Sequence, residues 1–194
     1  MPQRGKVLLI GDSISLGYLP QVASELAGEF VVRRNEGNAG DSGRLLAGLD
    51  GFLAADGDAD VVHFNCGLHD IKRLRDAGGP QVPLPEYRRN LPRIIRRLKR
   101  TGRKLIWAST TPVIYERHAA VKGFDRLEED VVAYNHAAAE IVAAAGIPID
   151  DLYAGIVSAG VAGCVGPDGV HMTEEGNAVL GKAVAAAVRE HFGR

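Results

Sequence analysis

The feature that most constrains the fold is an alternation between short apolar runs and longer segments of helical periodicity. Five apolar runs occupy residues 7–10, 30–32, 61–64, 104–107 and 147–149. Between and after them, apolar residues recur at spacings of three and four in residues 16–26, 45–53, 87–98, 127–145 and 174–191. Strands that alternate with helices are typical of a parallel sheet covered on both faces. The pattern predicts a three-layer α/β fold of the flavodoxin-like kind, with a five-stranded parallel sheet flanked by helices.

No linker, repeat or shift in composition divides the 194 residues, so we expect one domain spanning residues 1–194. The two cysteines, Cys66 and Cys164, allow no disulfide framework and fit no zinc-binding spacing. The apolar run near the N-terminus is too short for a signal peptide or a membrane span. These features predict a soluble, cytoplasmic protein.

The charge balance limits the expected partners. The 23 Lys and Arg residues nearly match the 24 Asp and Glu residues, which leaves a formal net charge of -1. The chain therefore has no overall field that would attract nucleic acid or an anionic membrane, and we expect neither as a partner. Residues 88–104 hold nine basic residues and no acid. A nucleic-acid stripe is one interpretation, but the apolar spacing within this segment favours a solvated helix face.

The loops that follow the predicted strands are the expected place for a ligand. Open parallel sheets bind ligands at the carboxyl ends of their strands. Small, polar and titratable residues fill the segments at that edge, which are residues 11–15, 35–41, 67–70, 109–113 and 166–171. A site for a small molecule is therefore expected along one rim of the sheet.

Ser13 lies where the first strand turns into the following helix. In such a turn a serine hydroxyl stands beside backbone N–H groups and a helix N-terminus, which suits a nucleophile that must form and stabilise an oxyanion. The alternative is that Ser13 or Ser15 simply caps the helix. Only suitable partners elsewhere in the chain would favour the nucleophile.

Asp168 and His171 are separated by two residues in a glycine-rich loop near the C-terminus. One tight turn would bring the carboxylate to one imidazole nitrogen and leave the other nitrogen facing outward, as in the base half of a catalytic triad. The alternative is a pair of exposed loop residues. Thr173 is placed to cap the final helix and so to fix this loop.

Four segments together carry a resemblance to a known family: Gly11-Asp12-Ser13, Gly40, residues 67–70 (Gly-Leu-His-Asp) and Asp168-x-x-His171. Their order and spacing resemble the four blocks of the SGNH, or GDSL-type, hydrolases over nearly the whole chain. The resemblance implies that Ser13 is the nucleophile, that His171 is the general base and then acid, and that Asp168 orients His171. It also implies an oxyanion hole built from the N–H groups of Ser13 and Gly40, without a metal or an organic cofactor.

The third block departs from the family pattern at His69, where the family normally has an asparagine whose amide is a third oxyanion donor. An imidazole N–H can also donate, so we expect His69 to replace that amide. A misplaced donor would lower the rate by about 100- to 1000-fold. The alternative is a structural histidine bonded to a backbone carbonyl. Asn65, on the preceding strand, is a poorer substitute because its side chain should point along the sheet.

Other residues near these blocks are assigned by position. Asp12 and Asp70 are expected to contact the substrate, and His118 is expected to line the substrate entrance. Cys66 is expected to be a small core residue.

The leading hypothesis is a serine hydrolase that cleaves an uncharged carboxylic ester through an acyl-enzyme on Ser13. An aromatic content of 6% and the lack of a large apolar insertion favour a short acyl group, such as acetyl on a sugar or small alcohol. One alternative is a weakly active or non-catalytic binding domain of the same fold. Another is a metal-dependent phosphoesterase, whose candidate ligands would be Asp12, His69, Asp70, Asp168 and His171.

Overall fold

A computed structural model describes residues 5–54, 58–75 and 78–193 of the chain. The main sheet contains five strands, which are β1 (Gly5–Ile10), β2 (Phe30–Arg34), β3 (Val61–Phe64), β5 (Lys104–Ala108) and β7 (Ile149–Asp150). Two short strands, β4 (Arg73–Leu74) and β6 (Phe124–Asp125), pair antiparallel in a separate two-stranded sheet. No sequence pattern indicated this second sheet, because two-residue strands carry no periodicity.

The strands of the main sheet lie in the order β2-β1-β3-β5-β7, and every pair is parallel. Val7 of β1 is in register with Val32 on one side and with Val61 on the other. The chain thus leaves β1 in one direction for β2 and in the other for β3, which makes a topological switch point between β1 and β3. This arrangement confirms the predicted flavodoxin-like sheet.

Eight helices lie in the described ranges, and five of them match the predicted segments. They are α1 (Ser13–Glu25), α2 (Ser42–Ala54), α3 (Leu84–Lys99), α4 (Tyr115–Val121), α5 (Glu128–Ala144), α6 (Leu152–Ala159), α7 (Val161–Cys164) and α8 (Glu174–Phe192). Helices α1, α6 and α8 pack together, and α3 packs between α2 and α5. These two groups form the outer layers. Helices α4, α6 and α7 were not predicted.

The core lies on both faces of the central strands. Residues 7–10 of β1 and residues 61–64 of β3 are all buried, as expected for strands covered on both sides. Helix α3 adds an apolar stripe of buried side chains, consisting of Tyr87, Leu91, Ile94, Ile95 and Leu98. Its arginines lie on the opposite face, where Arg88 pairs with Glu140 at 2.7 Å. The stripe confirms the predicted amphipathic helix.

Both cysteines are free thiols buried in the core, as predicted for Cys66. His63 on β3 is also buried, and its Nε2 lies 2.9 Å from Oδ2 of Asp150 at the end of β7. Over residues 5–54, 58–75 and 78–193, no helix is both long enough and apolar enough to cross a bilayer.

Candidate active site

Ser13 is the first residue of α1, and the residue before it caps the helix. Asp12 Oδ1 accepts a hydrogen bond from Ile14 N at 2.9 Å, and the Ser15 hydroxyl donates to Asp12 O at 2.8 Å. The cap is therefore Asp12, and the alternative that Ser13 or Ser15 caps the helix is wrong. Because Asp12 satisfies the helix end, the Ser13 hydroxyl remains available. The Asp12 side chain is buried in this capping role, which corrects its expected place as a substrate contact.

Ser13, His171 and Asp168 form a continuous hydrogen-bonded chain. Ser13 Oγ lies 2.8 Å from His171 Nε2, and His171 Nδ1 lies 2.5 Å from Asp168 Oδ2. A carboxylate only accepts, so the network assigns the imidazole proton to Nδ1. Neutral His171 then presents an unprotonated Nε2 that accepts the hydrogen of the Ser13 hydroxyl. The structure thus brings together residues that are 158 positions apart in the chain.

The loop that carries Asp168 and His171 is held by its own backbone. Asp168 Oδ1 accepts from Val170 N at 3.0 Å and from His171 N at 2.9 Å. Partial burial acts to raise the pKa of Asp168, but these bonds and the one from the His171 ring outweigh it and lower the pKa to about 2. Asp168 is therefore ionised at neutral pH and holds the imidazole in one orientation.

Two neighbouring residues explain why this loop is rigid. Gly169 has φ +74°, and a Cβ there would lie 2.4 Å from the carbonyl oxygen of Ile114, so the position requires glycine. Thr173 caps α8 by accepting from Gly176 N at 3.1 Å, as predicted, and its hydroxyl donates to Gly163 O at 2.9 Å. The triad loop is thus fixed at both ends. The site itself is open, since the His171 side chain is 50% exposed.

Arg34, at the end of β2, is a site residue that the sequence analysis missed. Its guanidinium donates to Gly11 O at 3.0 Å, to Asp12 O at 2.7 Å and to Ser15 Oγ at 2.8 Å. It also donates to the carbonyl oxygens of Asn35 and Gly37 at 2.9 and 2.8 Å. Arg34 therefore fixes the turn that carries Ser13 against the second loop. The contacts with Ser15, Asp12 and Gly11 span 19, 22 and 23 residues, so no local pattern could have indicated them.

The two backbone N–H groups predicted to bind the oxyanion, those of Ser13 and Gly40, differ in their hydrogen-bond partners. In the described part of the chain, Ser13 N–H has no acceptor and is free to bind an oxyanion. Gly40 has φ +70°, and its N–H donates to Asn38 Oδ1 at 2.8 Å. The prediction treated Gly40 N–H as a free oxyanion donor, and this bond corrects it. Asn38 must share or release the Gly40 N–H before that N–H can bind a substrate.

His69 follows β3 at the same rim and is partly buried. Neither ring nitrogen has a hydrogen-bond partner within the three described ranges, so the alternative of a histidine bonded to a backbone carbonyl is not what the structure contains. Burial lowers the pKa of His69; Asp12 acts in the opposite direction, and the positive charge of Arg126 adds to the lowering. At neutral pH His69 is therefore a neutral imidazole with one free N–H. Asn65, by contrast, is engaged, since its amide donates to Ala108 O at 2.6 Å.

Asp70 does not reach the rim, which corrects its expected contact with substrate. Its side chain is 0% exposed, and both carboxylate oxygens accept from Ser42 N at 3.0 Å. Burial raises the pKa of Asp70 to about 7, although the hydrogen bonds from Ser42 act in the opposite direction. Asp70 therefore joins the third loop to the start of α2. Above about pH 7 its buried carboxylate is ionised, which costs folding free energy.

His118 is also buried, at 0% exposure, so it does not line an entrance as predicted. It lies on α4, where its Nδ1 is 3.3 Å from Asp168 O and its ring packs against Phe124. Arg117 on the same helix donates to Val165 O at 2.5 Å. The segment around His118 is thus a helix that supports the triad loop from behind.

The carboxylates and imidazoles suggested as metal ligands do not converge. Asp12 and Asp70 are occupied by backbone N–H groups of Ile14 and Ser42. Among the described residues, no group of three or more His, Cys, Asp or Glu side chains is placed to hold a metal ion.

A small cavity lies beneath the loops at the carboxyl ends of β1, β3 and β5. Its volume is about 10 Å³, and its lining includes Asp12, Asn65, Leu68 and Thr110. A space of about that size holds one water molecule at most. It therefore offers no room for an acyl group beneath the nucleophile turn.

The fold and this arrangement together define the class: a hydrolase of the flavodoxin-like α/β fold with a serine at the strand-to-helix turn. The sequence model of the GDSL-like Lipase/Acylhydrolase family matches residues 9–179. The chain belongs to that family, and it is a carboxylic ester hydrolase of the GDSL type. No curated protein matches it in sequence.

Solved structures of similar fold come from the same kind of enzyme. A lipase/acylhydrolase from Enterococcus faecalis superimposes with a TM-score of 0.80 at 22% identity, with 96% of each chain covered. The acetyl xylan esterase AlAXEase has a TM-score of 0.74 at 17% identity, covering 94% of this chain and 99% of its own. A catalytic mutant of Axe2, an acetylxylan esterase from Geobacillus stearothermophilus, gives 0.74 at 18% identity, covering 98% and 95%. At these identities the likeness establishes the fold.

Proposed function

We propose that the protein hydrolyses short-chain carboxylic esters, with acetyl esters of a sugar or small alcohol as the substrate class, through an acyl-enzyme on Ser13. The observation that carries the proposal is the hydrogen-bonded chain from Ser13 Oγ through His171 to Asp168, with distances of 2.8 and 2.5 Å. This is the geometry that a serine nucleophile requires for activation by a general base.

In the acylation step, Ser13 Oγ attacks the acyl carbon while His171 Nε2 takes the hydroxyl proton. The resulting imidazolium is stabilised by ionised Asp168, which keeps its own charge. The negative charge that develops on the carbonyl oxygen is bound by Ser13 N–H and by the N–H of neutral His69. Gly40 N–H joins them when Asn38 releases it.

Collapse of the tetrahedral intermediate breaks the bond to the alcohol, which leaves with the proton from His171 Nε2. A water molecule then enters, and His171 takes a proton from it as it attacks the acyl carbon. The acyl group leaves as a carboxylic acid, and the proton returns to Ser13 Oγ. The half-exposed His171 side chain is consistent with direct access of this water.

Two features support a short acyl group and a polar alcohol. The triad is open to solvent, with Asp168 26% exposed, which suits a hydrophilic leaving group above it. Structural neighbours named as acetyl xylan esterases agree with this preference.

The test is an acyl-chain series of activated nitrophenyl esters with the wild-type protein. We expect kcat/KM to be highest for acetyl or propionyl and to fall steadily for longer chains. Ser13→Ala should lower kcat by at least about 10⁴-fold on the best ester, while Ser24→Ala, at an exposed position of α1, is the matched control. A preference for long chains would contradict the short-acyl proposal, and undiminished turnover by Ser13→Ala would contradict the mechanism.

A further inference from the structure

Two cations stack on one aromatic ring beside the candidate active site. The Lys72 ammonium lies 4.5 Å from the centroid of the Phe124 ring, and the Arg126 guanidinium carbon lies 5.0 Å from it. Lys72 follows the third loop, whereas Phe124 and Arg126 come from β6 and the residues after it. The small antiparallel sheet of β4 and β6 therefore brings together two positive charges that are distant in the sequence. Such ring contacts orient the cations without neutralising them.

Arg126 is only 6% exposed, yet its charge has no acidic partner in contact. Its one hydrogen bond within the described residues runs from Nε to Leu68 O at 2.7 Å, so its Nη groups donate to nothing in that part of the protein. Asp12 and Asp168 act on it only from a distance, without an ion pair. Buried guanidinium groups are normally paired, because leaving such a charge unpaired is costly.

Arg73, a neighbouring arginine, has the carboxylate partner that Arg126 lacks. Arg73 on β4 donates from Nε and Nη2 to the two carboxylate oxygens of Asp130 at 2.6 and 2.8 Å. Lys72, its neighbour in sequence, has no ion pair among the residues that the structure describes. The chain thus has a carboxylate within this region, and that carboxylate pairs with Arg73 rather than with Lys72 or Arg126.

The unpaired cations lie close to the candidate oxyanion donor. Arg126 is bonded to the carbonyl oxygen of Leu68, the residue before His69, and Lys72 N donates to His69 O at 3.3 Å. Both charges act on the His69 imidazole and help to lower its pKa, and the charge of Asp168 is also felt at Arg126. The two cations therefore lie next to His69, on the third-loop side of the triad.

We propose that Arg126 and Lys72 bind a negatively charged group, a carboxylate or phosphate, carried by the ester substrate near its scissile bond. The inference rests on the proposed function and extends it, because the near-zero net charge alone favoured an uncharged ester. Guanidinium and ammonium groups form charge-assisted hydrogen bonds with such oxyanions, and the five donors of a guanidinium leave four beyond the bond to Leu68. The anionic group belongs to either the acyl part or the alcohol part of the ester.

The test compares anionic and neutral esters that each release a nitrophenol, whose absorbance is calibrated separately for each compound. The acyl arm uses the nitrophenyl hemiester of succinate, and the alcohol arm uses the acetyl ester of a carboxylated nitrophenol. Each is paired with the same compound whose carboxylate is capped as a methyl ester. For wild type we expect kcat/KM to favour the anionic member of at least one pair by about 10- to 100-fold, through KM.

Variants then assign the preference to the two cations. Arg126→Gln and Lys72→Gln should each reduce the anionic-to-neutral ratio by about tenfold, and Arg126→Lys should retain part of it. Lys72→Gln changes a partly exposed side chain, so it tests the inference even where Arg126→Gln folds poorly. Arg93→Gln, which removes the same charge from an exposed position of α3, is the matched control and should leave the ratio unchanged.

Each outcome has a distinct meaning. Equal or better turnover of the neutral esters by wild type would overturn the inference and leave the proposed function intact. An anionic preference that survives in Arg126→Gln and Lys72→Gln would also overturn it, since other residues would then bind the anion. No turnover of any ester would instead contradict the proposed function, and the inference with it.

Discussion

Two loops at the carboxyl edge of the sheet differ in how fully their polar groups are bonded. The turn after β1, which carries Ser13, is held by Arg34, whose guanidinium makes hydrogen bonds to five acceptors. The loop after β3, which carries His69, lies beside Arg126, which makes one. Arg34 is partly buried at the end of β2, and Arg126 is buried just after β6 of the small sheet.

The difference separates a structural arginine from one that is available to a ligand. Arg34 has used its donors to fix the backbone around the nucleophile, so nothing remains for a substrate. The third loop keeps an unbonded imidazole at His69, and the mostly unbonded guanidinium of Arg126 lies beside that loop. Free donors at a rigid site are the groups from which substrate and oxyanion contacts are made. The turn after β1, where Arg34 is fully bonded, thus holds the nucleophile. Substrate recognition is expected at the loop after β3, where donors remain unbonded.

The largest expected effect is on folding stability, where the two arginines should diverge. Arg34→Gln removes five hydrogen bonds, most of them partly buried, and should lower the free energy of unfolding by about 3–5 kcal/mol. Arg126→Gln breaks one hydrogen bond to a carbonyl and should cost about 1 kcal/mol. Urea denaturation of both variants measures the two losses. Equal losses would contradict the distinction between a structural arginine and an available one.

The next effect tests the part that the loop after β3 has in catalysis, through His69. His69→Ala removes an oxyanion donor and should lower kcat by about 100- to 1000-fold, whereas His69→Asn restores an N–H donor and should keep kcat near the wild-type value or raise it. Initial rates on an activated acetyl ester measure both. His136→Ala, at an exposed position of α5, is the control. Equal rates for wild type, His69→Ala and His69→Asn would remove His69 from the mechanism.

The smallest effect concerns the pH dependence of stability through Asp70. The pKa of Asp70 is about 7 in the folded protein, above its value of about 3.9 in an unfolded chain. The folded state therefore binds this proton more tightly, and the contribution of Asp70 to stability should fall as pH rises, by about 2 kcal/mol between about pH 5 and pH 7. The lowered pKa values of His69 and His118 act in the opposite direction over this window. The pKa of Asp168 is lowered to about 2, so its contribution is lost only at lower pH and leaves this window undisturbed.

Denaturation curves at several pH values test this expectation. Asp70→Asn keeps an amide oxygen for Ser42 N but has no charge, so the fall in stability assigned to Asp70 should be absent from its curve. Asp50→Asn, which changes an 87% exposed side chain, is the control and should retain the wild-type slope. A slope that persists in Asp70→Asn would assign the titration to another group.

The main sheet could be predicted from sequence because its strands carry their own apolar signal. All five were found, with shifts of a few residues at their ends, as β7 illustrates at Ile149–Asp150. Helix α4 was missed because its seven residues are mostly polar and small, and it is defined by contacts with the triad loop such as Arg117 to Val165 O. Short elements of this kind depend on tertiary contacts, and those leave no period in the sequence.

The candidate site also contains residues that a local sequence pattern indicates and residues whose role depends on tertiary contacts. Ser13, Asp168 and His171 could be proposed because each stands in a distinctive local pattern, and the structure brings them into contact. Asp70 and His118 were misplaced because position along the chain does not reveal burial. Arg34 and Arg126 were missed because their importance depends on which acceptors surround them in space, and a lone arginine after a strand has no such signature.

The central claim is that Ser13 is the nucleophile, and covalent labelling tests it most directly. The protein is incubated with a fluorophosphonate, which phosphonylates activated serines, and the modified peptide is identified by mass spectrometry. The account predicts one stoichiometric adduct on Ser13, which is lost in Ser13→Ala and strongly slowed in His171→Ala. An adduct on another serine, or an unmodified protein beside a labelled control hydrolase, would contradict it.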